Sequence, residues 1–128
     1  MHEVATSQSL ADAVLREAGE RHATRVLKVE VEVGELSFLE PDQIAYWAEM
    51  CFQGTIAEGA ELDIRLIQPL VACEECGFAG EIRLAEHPAY HFQLPVFECR
   101  ECGSSRIEVK RGRGCTLRRI DLEMPGEA

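Results

Sequence analysis

The sequence predicts an α/β (α+β) fold: a small mixed sheet with two helices on one face, plus an inserted four-cysteine zinc-ribbon-like module. Three observations carry this prediction. Apolar residues recur at helical spacing in two stretches, they alternate with polar residues in strand-like runs between and after them, and two Cys-x-x-Cys pairs interrupt the chain near its middle.

Residues Leu10, Ala11, Val14, Leu15 and Ala18 form the first helical stripe, in a helix that begins within a few residues of Glu3 and stops at Gly19. A strand follows over Arg25–Gly34, with Leu27, Val29, Val31 and Val33 inward and Lys28, Glu30 and Glu32 outward. Pro41 and Asp42 open a second helix whose stripe is Ile44, Trp47, Ala48, Cys51 and Phe52, with Gly54 or Gly59 beyond its end. Residues 60–68 read as a second strand with Leu62, Ile64 and Leu66 on one side, and Pro69 marks the exit from it. Ile107 and Val109 read as a short strand, Gly112 and Gly114 as a turn, and residues 116–124 as a last strand with Ile120, Leu122 and Met124 facing one way. These readings divide the chain into an α/β domain of residues 1–69 and 113–128 and an inserted metal-binding domain of residues 70–112.

The pairs Cys73/Cys76 and Cys99/Cys102 bracket 22 residues, and each is followed at once by a glycine, Gly77 or Gly103. Two such pairs supply four thiolates for one tetrahedral ion, and the glycines let the backbone turn. Zinc suits this donor set; iron in the same cage is the competitor, because geometry alone does not separate them. Two disulfides or redox dithiols are the alternative, but in a reducing compartment matched pairs of this spacing read as a metal site. Four cysteines also close the coordination sphere, and a hydrolase would need an open position on the metal. There is no phosphate-binding glycine loop and no nucleophile arrangement, so the chain reads as a protein without enzymatic activity.

The formal net charge is −10, spread as −8 over residues 1–70, −4 over 71–102 and +2 over 103–128. An acidic chain repels nucleic acid unless it concentrates its few cations. The one candidate patch is Arg106, Lys110, Arg111, Arg113, Arg118 and Arg119, whose plain reading is a solvated surface. A zinc-ribbon nucleic-acid-binding or adaptor protein is therefore the alternative function. No apolar run approaches membrane-spanning length and no leader pattern precedes the first helix, which makes a cytoplasmic protein the expectation.

The start of the chain offers a second donor set. The Met1 amine, the His2 imidazole and adjacent amide nitrogens make a compact chelate of the kind square-planar copper(II) or nickel(II) prefers. Glu3 adds a carboxylate, whose simpler role is a helix-entry charge.

Met1-His2-Glu3, Gly34-Glu35-Leu36-Ser37, Glu58-Gly59-Ala60-Glu61-Leu62, the run Phe97-Glu98-Cys99-Arg100-Glu101-Cys102-Gly103-Ser104 and the closing strand at 117–123 together resemble the HypA/HybF family of nickel metallochaperones. The resemblance spans nearly the whole chain. It implies nickel bound through Met1, His2 and Glu3, structural zinc on Cys73, Cys76, Cys99 and Cys102, and delivery of nickel for [NiFe]-hydrogenase maturation. It further implies a HypB-type GTPase and the hydrogenase large subunit as partners, with no nucleic acid and no membrane, in a monomer or weak homodimer. Where some relatives carry a histidine shortly after each knuckle, this chain has Gly77-Phe78 and Gly103-Ser104, which argues against a pH-driven exchange of ligands at zinc. His87 and His91, between the knuckles, read as solvated loop residues, with an extra nickel ligand as the alternative role for either; Cys51 reads as a small apolar packing residue and Cys115 as a free thiol.

Overall fold

The computed structural model describes residues 2–81, 99 and 101–126. Met1, His87 and His91 lie outside the described residues. The elements are α1 (His2–Glu20), β1 (Arg25–Gly34), a 3-10 turn (Glu35–Ser37), α2 (Pro41–Phe52), β2 (Glu61–Ile67), β3 (Leu70–Cys73), β4 (Ala79–Glu81), β5 (Ile107–Arg111) and β6 (Cys115–Glu123).

Among the described residues the strands form two sheets of three. The first runs β2-β1-β6, with β1 parallel to β2 and antiparallel to β6. Parallel neighbours cannot be joined by a tight turn, and α2 supplies the crossover between them. The second runs β4-β3-β5, all antiparallel. The predicted single sheet is thus the first of two, because β3 and β4 are too short to show any alternation in the sequence.

Both helices lie over one face of the first sheet. Val14, Ala18, Ile44, Ala48 and Phe52 from the helices form one buried cluster with Val26, Val29, Val31 and Val33 of β1. At 25–30 cal/mol per Å² of apolar surface, each valine, isoleucine or phenylalanine in it contributes about 1.5–3 kcal/mol and each alanine less. The helices approach closely at Ser7, which is fully buried and whose hydroxyl donates to the Ile44 carbonyl at 3.2 Å. A larger residue there would separate the helices, and an unpaired hydroxyl would cost about 1–3 kcal/mol.

Three details depart from expectation. The first helix does not stop at Gly19 but continues to Glu20, and His22 takes the left-handed conformation that ends it, with φ of 57°. The amide of Ala23 donates to Ala18 at 3.0 Å and that of His22 to Gly19 at 3.1 Å, the paired bonds of a Schellman ending. Leu27 does not face inward: a bulge between Val26 and Lys28 turns Val26 into the core and leaves Leu27 44% exposed. Leu66 is 53% exposed, since the first sheet ends at β2 and the core does not reach the end of that strand.

The two sheets meet at a joint made of backbone. The amide of Gly34 donates to the Gly114 carbonyl at 2.7 Å, and that of Leu36 to Gly112 at 2.9 Å. A Cβ built on Gly34 would lie 2.2 Å from the Gly112 carbonyl carbon, and one on Gly112 would lie 2.7 Å from the Pro69 Cα. Gly112 also has φ of 106°, which a side chain rarely adopts. Pro69 and Gly112 are both buried, so the chain enters and leaves the second sheet through a packed junction.

Candidate metal centre

Each knuckle folds by the same two hydrogen bonds. The Cys73 amide donates to the Phe78 carbonyl at 2.7 Å and the Gly77 amide to Cys73 at 3.2 Å; the Cys99 amide donates to Ser104 at 2.7 Å and the Gly103 amide to Cys99 at 2.8 Å. Gly77 and Gly103 have φ of 79° and 74°. A Cβ at either would meet nothing within 4 Å, so the glycines are needed for their left-handed backbone, which lets the chain turn there.

The second sheet brings the knuckles together. Strand β3 ends at Cys73 and pairs there with Ile107 at the start of β5, and the Glu74 amide donates to the Arg106 carbonyl at 2.9 Å. The second knuckle precedes β5 directly, so this pairing draws Cys99 and Cys102 over Cys73 and Cys76. All four sulfurs then lie within 4.8 Å of one another. Across the knuckles, the Cys73 and Cys102 sulfurs are 3.7 Å apart and those of Cys76 and Cys99 3.5 Å.

These distances decide between the chemical readings. A disulfide needs about 2.05 Å between sulfurs, and none is formed among the described cysteines. A tetrahedral ion with metal–sulfur bonds of about 2.3 Å separates its ligands by roughly 3.8 Å, close to what is found. Cys73 and Cys99 are buried and Cys76 and Cys102 exposed, so the cluster sits at the surface with one sulfur of each knuckle facing inward.

The thiols differ in acidity. Burial works to raise Cys99, but amides of Cys102 and Glu101 and the neighbouring thiols outweigh it and bring the group down to about 7. The Glu101 amide lies 3.4 Å from the Cys99 sulfur. At Cys102 the Ser104 amide pulls downward, yet burial and the other three thiols push it up to about 12. Cys76 is also raised: the Phe78 amide lowers it, but the Cys99 thiol and burial prevail. Four thiolates so crowded cannot all carry charge unopposed, and a cation among them is the natural counter-charge. Cys115 is elsewhere, at the start of β6, and burial pushes its thiol up.

The other predicted donors lie at the beginning of α1. His2 is its first residue and its side chain is exposed. The Glu3 carboxyl is held below its ordinary value chiefly by its own backbone amide, and also by the amide of Glu40 at the start of α2. The start of the chain is thus tied to the first sheet's helices, on different elements from the sulfur cluster. Sequence reasoning missed the tie to Glu40, for which no local pattern exists.

A mixed sheet under two helices, carrying a second small sheet whose loops hold four convergent thiolates, defines a small metal-binding α/β protein. The family profile described as "Hydrogenase/urease nickel incorporation, metallochaperone, hypA" matches residues 1–122. Among curated relatives, the hydrogenase maturation factor HypA of Methanopyrus kandleri is 33% identical over 137 residues, covering 99% of this chain and 96% of the relative. That of Chlorobium limicola is 37% identical over 123 residues, covering 96% and 97%. The solution structure of the nickel metallochaperone HypA from Helicobacter pylori has the same fold, with a TM-score of 0.66, 18% identity and coverage of 95% of this chain and 97% of that one. The chain belongs to the HypA family.

Proposed function

We propose that this protein is a nickel metallochaperone with two separate metal sites, a resident zinc on Cys73, Cys76, Cys99 and Cys102 and a transferable nickel on Met1, His2 and Glu3. The observation that carries the reading is the closed sulfur cluster. Four thiolates complete a tetrahedral sphere, so the ion they hold has no open position and a second ion in transit needs another place. The exposed His2, at the head of α1 and on different elements from the cysteines, supplies it. Nitrogen donors there suit nickel(II) in square-planar geometry. Zinc in a thiolate cage is held by about 10–16 kcal/mol, whereas a micromolar nickel site corresponds to about 8 kcal/mol and exchanges readily.

The two sites belong to two units in this reading, a nickel-binding unit of residues 1–69 and 113–128 and a zinc unit of residues 70–112. Support comes from the passage between the sheets at Pro69 and Gly112. Nickel passes to the [NiFe]-hydrogenase large subunit with a HypB-type GTPase as co-worker, in the cytoplasm, and the protein itself catalyses no reaction. Among the described residues no helix is long and apolar enough to cross a membrane.

The test is nickel titration of zinc-loaded protein, calorimetric or by absorbance, for wild type and His2→Ala. The variant is expected to lose nickel binding while its zinc content and circular dichroism stay as in wild type. Equal nickel affinity in the two proteins refutes the assignment.

A further inference from the structure

The cleft between the two sheets has a charge opposite to that of the molecule. Its cavity of about 370 Å³ is bordered by Lys110 and Arg111 of β5, Arg113 of the following turn, Arg118 of β6 and Glu32 of β1. Four cations thus face one carboxylate in a chain of net charge −10. The sequence already groups these cations within residues 110–118; the pairing of β6 with β1 and the emergence of β5 at the joint gather them around Glu32.

Internal partners do not neutralise the group. Arg111 and Arg118 share a single oxygen, Oε1 of Glu32, at 3.4 and 3.7 Å. Lys110 lies 2.9 Å from Glu108. Arg113 has no ion pair among the described residues. The closely packed backbone of Gly34 and Gly112 forms part of the lining, so the cations are mounted on a rigid joint.

We propose that this cleft docks a short acidic segment of a partner protein, whose carboxylates are taken up by Arg113, Arg111 and Arg118. The inference does not rest on the nickel reading. Guanidinium groups suit carboxylates, and Glu32 already draws two arginines to one of its oxygens, each through a single nitrogen, which leaves the rest of both forks open to a further carboxylate. Length is limited by the surroundings. The positive field fades within a Debye length of about 8 Å at physiological salt, in a chain whose net charge is −10. A nucleic acid duplex, with a charge every ~1.7 Å, would extend well past four cations and face the net negative charge of the chain. A few carboxylates in a row match the number of cations in the cleft. Docking there would steer a partner to the junction of the two sheets and speed its encounter at low salt.

The test is fluorescence anisotropy with labelled hexaglutamate and the full zinc-loaded chain at low and physiological salt. Binding is expected, weakening as salt rises. Arg113→Ala should reduce affinity by about three- to tenfold, as expected for a partly solvated charged contact. Arg106→Ala removes the same charge from a residue outside the cleft lining, paired at 3.7 Å with Glu75, and should change affinity less than about twofold. Arg118→Ala serves as a second cleft variant, with zinc content and circular dichroism confirming that each protein is folded. The proposal is overturned if hexaglutamate does not bind, if Arg106→Ala weakens binding as much as the cleft variants do, or if labelled hexathymidylate binds more tightly than the peptide.

Discussion

Replacing Gly34 by alanine puts a methyl group where the backbone of the turn between β5 and β6 already is. The new Cβ would stand 2.2 Å from both the carbonyl carbon and the oxygen of Gly112, and 2.6 Å from the Arg113 nitrogen. None of these atoms belongs to a side chain that could rotate away. Restoring ordinary contact at 3.4 Å means moving one chain by roughly 1.2 Å, enough to break the bonds from Gly34 to Gly114 and from Leu36 to Gly112. Overpacking costs about 1–3 kcal/mol, and each buried polar group left unpaired costs about 1–3 more. With one unpaired group for each of the two broken bonds, the expected loss is about 3–9 kcal/mol, a large share of the 5–15 kcal/mol typical of a whole domain. Conformation is not the cause, since Gly34 has φ of −69°, which alanine adopts freely. Gly19→Ala is the matched control. That residue lies inside α1 with nothing within 4 Å of its Cβ position, so alanine should stabilise by up to about 1 kcal/mol. Both are read by urea denaturation followed by circular dichroism at fixed zinc concentration. Stability of Gly34→Ala within about 0.5 kcal/mol of wild type would refute the account of the joint as rigid backbone packing.

Cys73→Ser and Cys99→Ser should each release the zinc equivalent and unsettle the second sheet's loops, as metal analysis and native mass spectrometry would report; a full equivalent retained by both counts against the four-sulfur site. Zinc affinity should also fall with pH. Binding requires thiolates, and Cys102, with its pKa pushed up to about 12, is protonated at neutral pH in the metal-free protein and must give up its proton. Cys99, at about 7, adds a further proton to be displaced below that pH, so the dependence should steepen on going from pH 8 to 6 in a competition titration with a chelator. An affinity flat across that range would contradict it. His22→Gly should raise the thermal midpoint, because glycine takes the left-handed ending of α1 without the cost of roughly 1 kcal/mol borne by a side chain. A lowered midpoint would mean that the His22 side chain contributes more than its backbone conformation costs.

Much of the first sheet and its helices was legible because periodicity is a local property. The valines of β1 and the stripe of Ile44, Ala48 and Phe52 each declare a buried face within one element, and the core is those faces joined. The failures fall where one element's state depends on another. Leu27 is exposed because of a bulge against β6, and Leu66 because β2 ends the sheet. Strands β3 and β4, of four and three residues, carry too little pattern to be read at all.

By itself the sequence determined the two helices and the longer strands, the four thiol donors and the acidic balance of the chain, because spacing, residue type and formal charge need no partner to be counted. Only the tertiary structure decided that the sulfurs meet, that Gly34 and Gly112 have no room for a methyl group, and that Lys110, Arg111, Arg113 and Arg118 gather in one cleft around Glu32. Each of these needs segments far apart in the chain to meet, as when Glu32 is brought to the cations of residues 110–118, through strand pairing that no local pattern encodes.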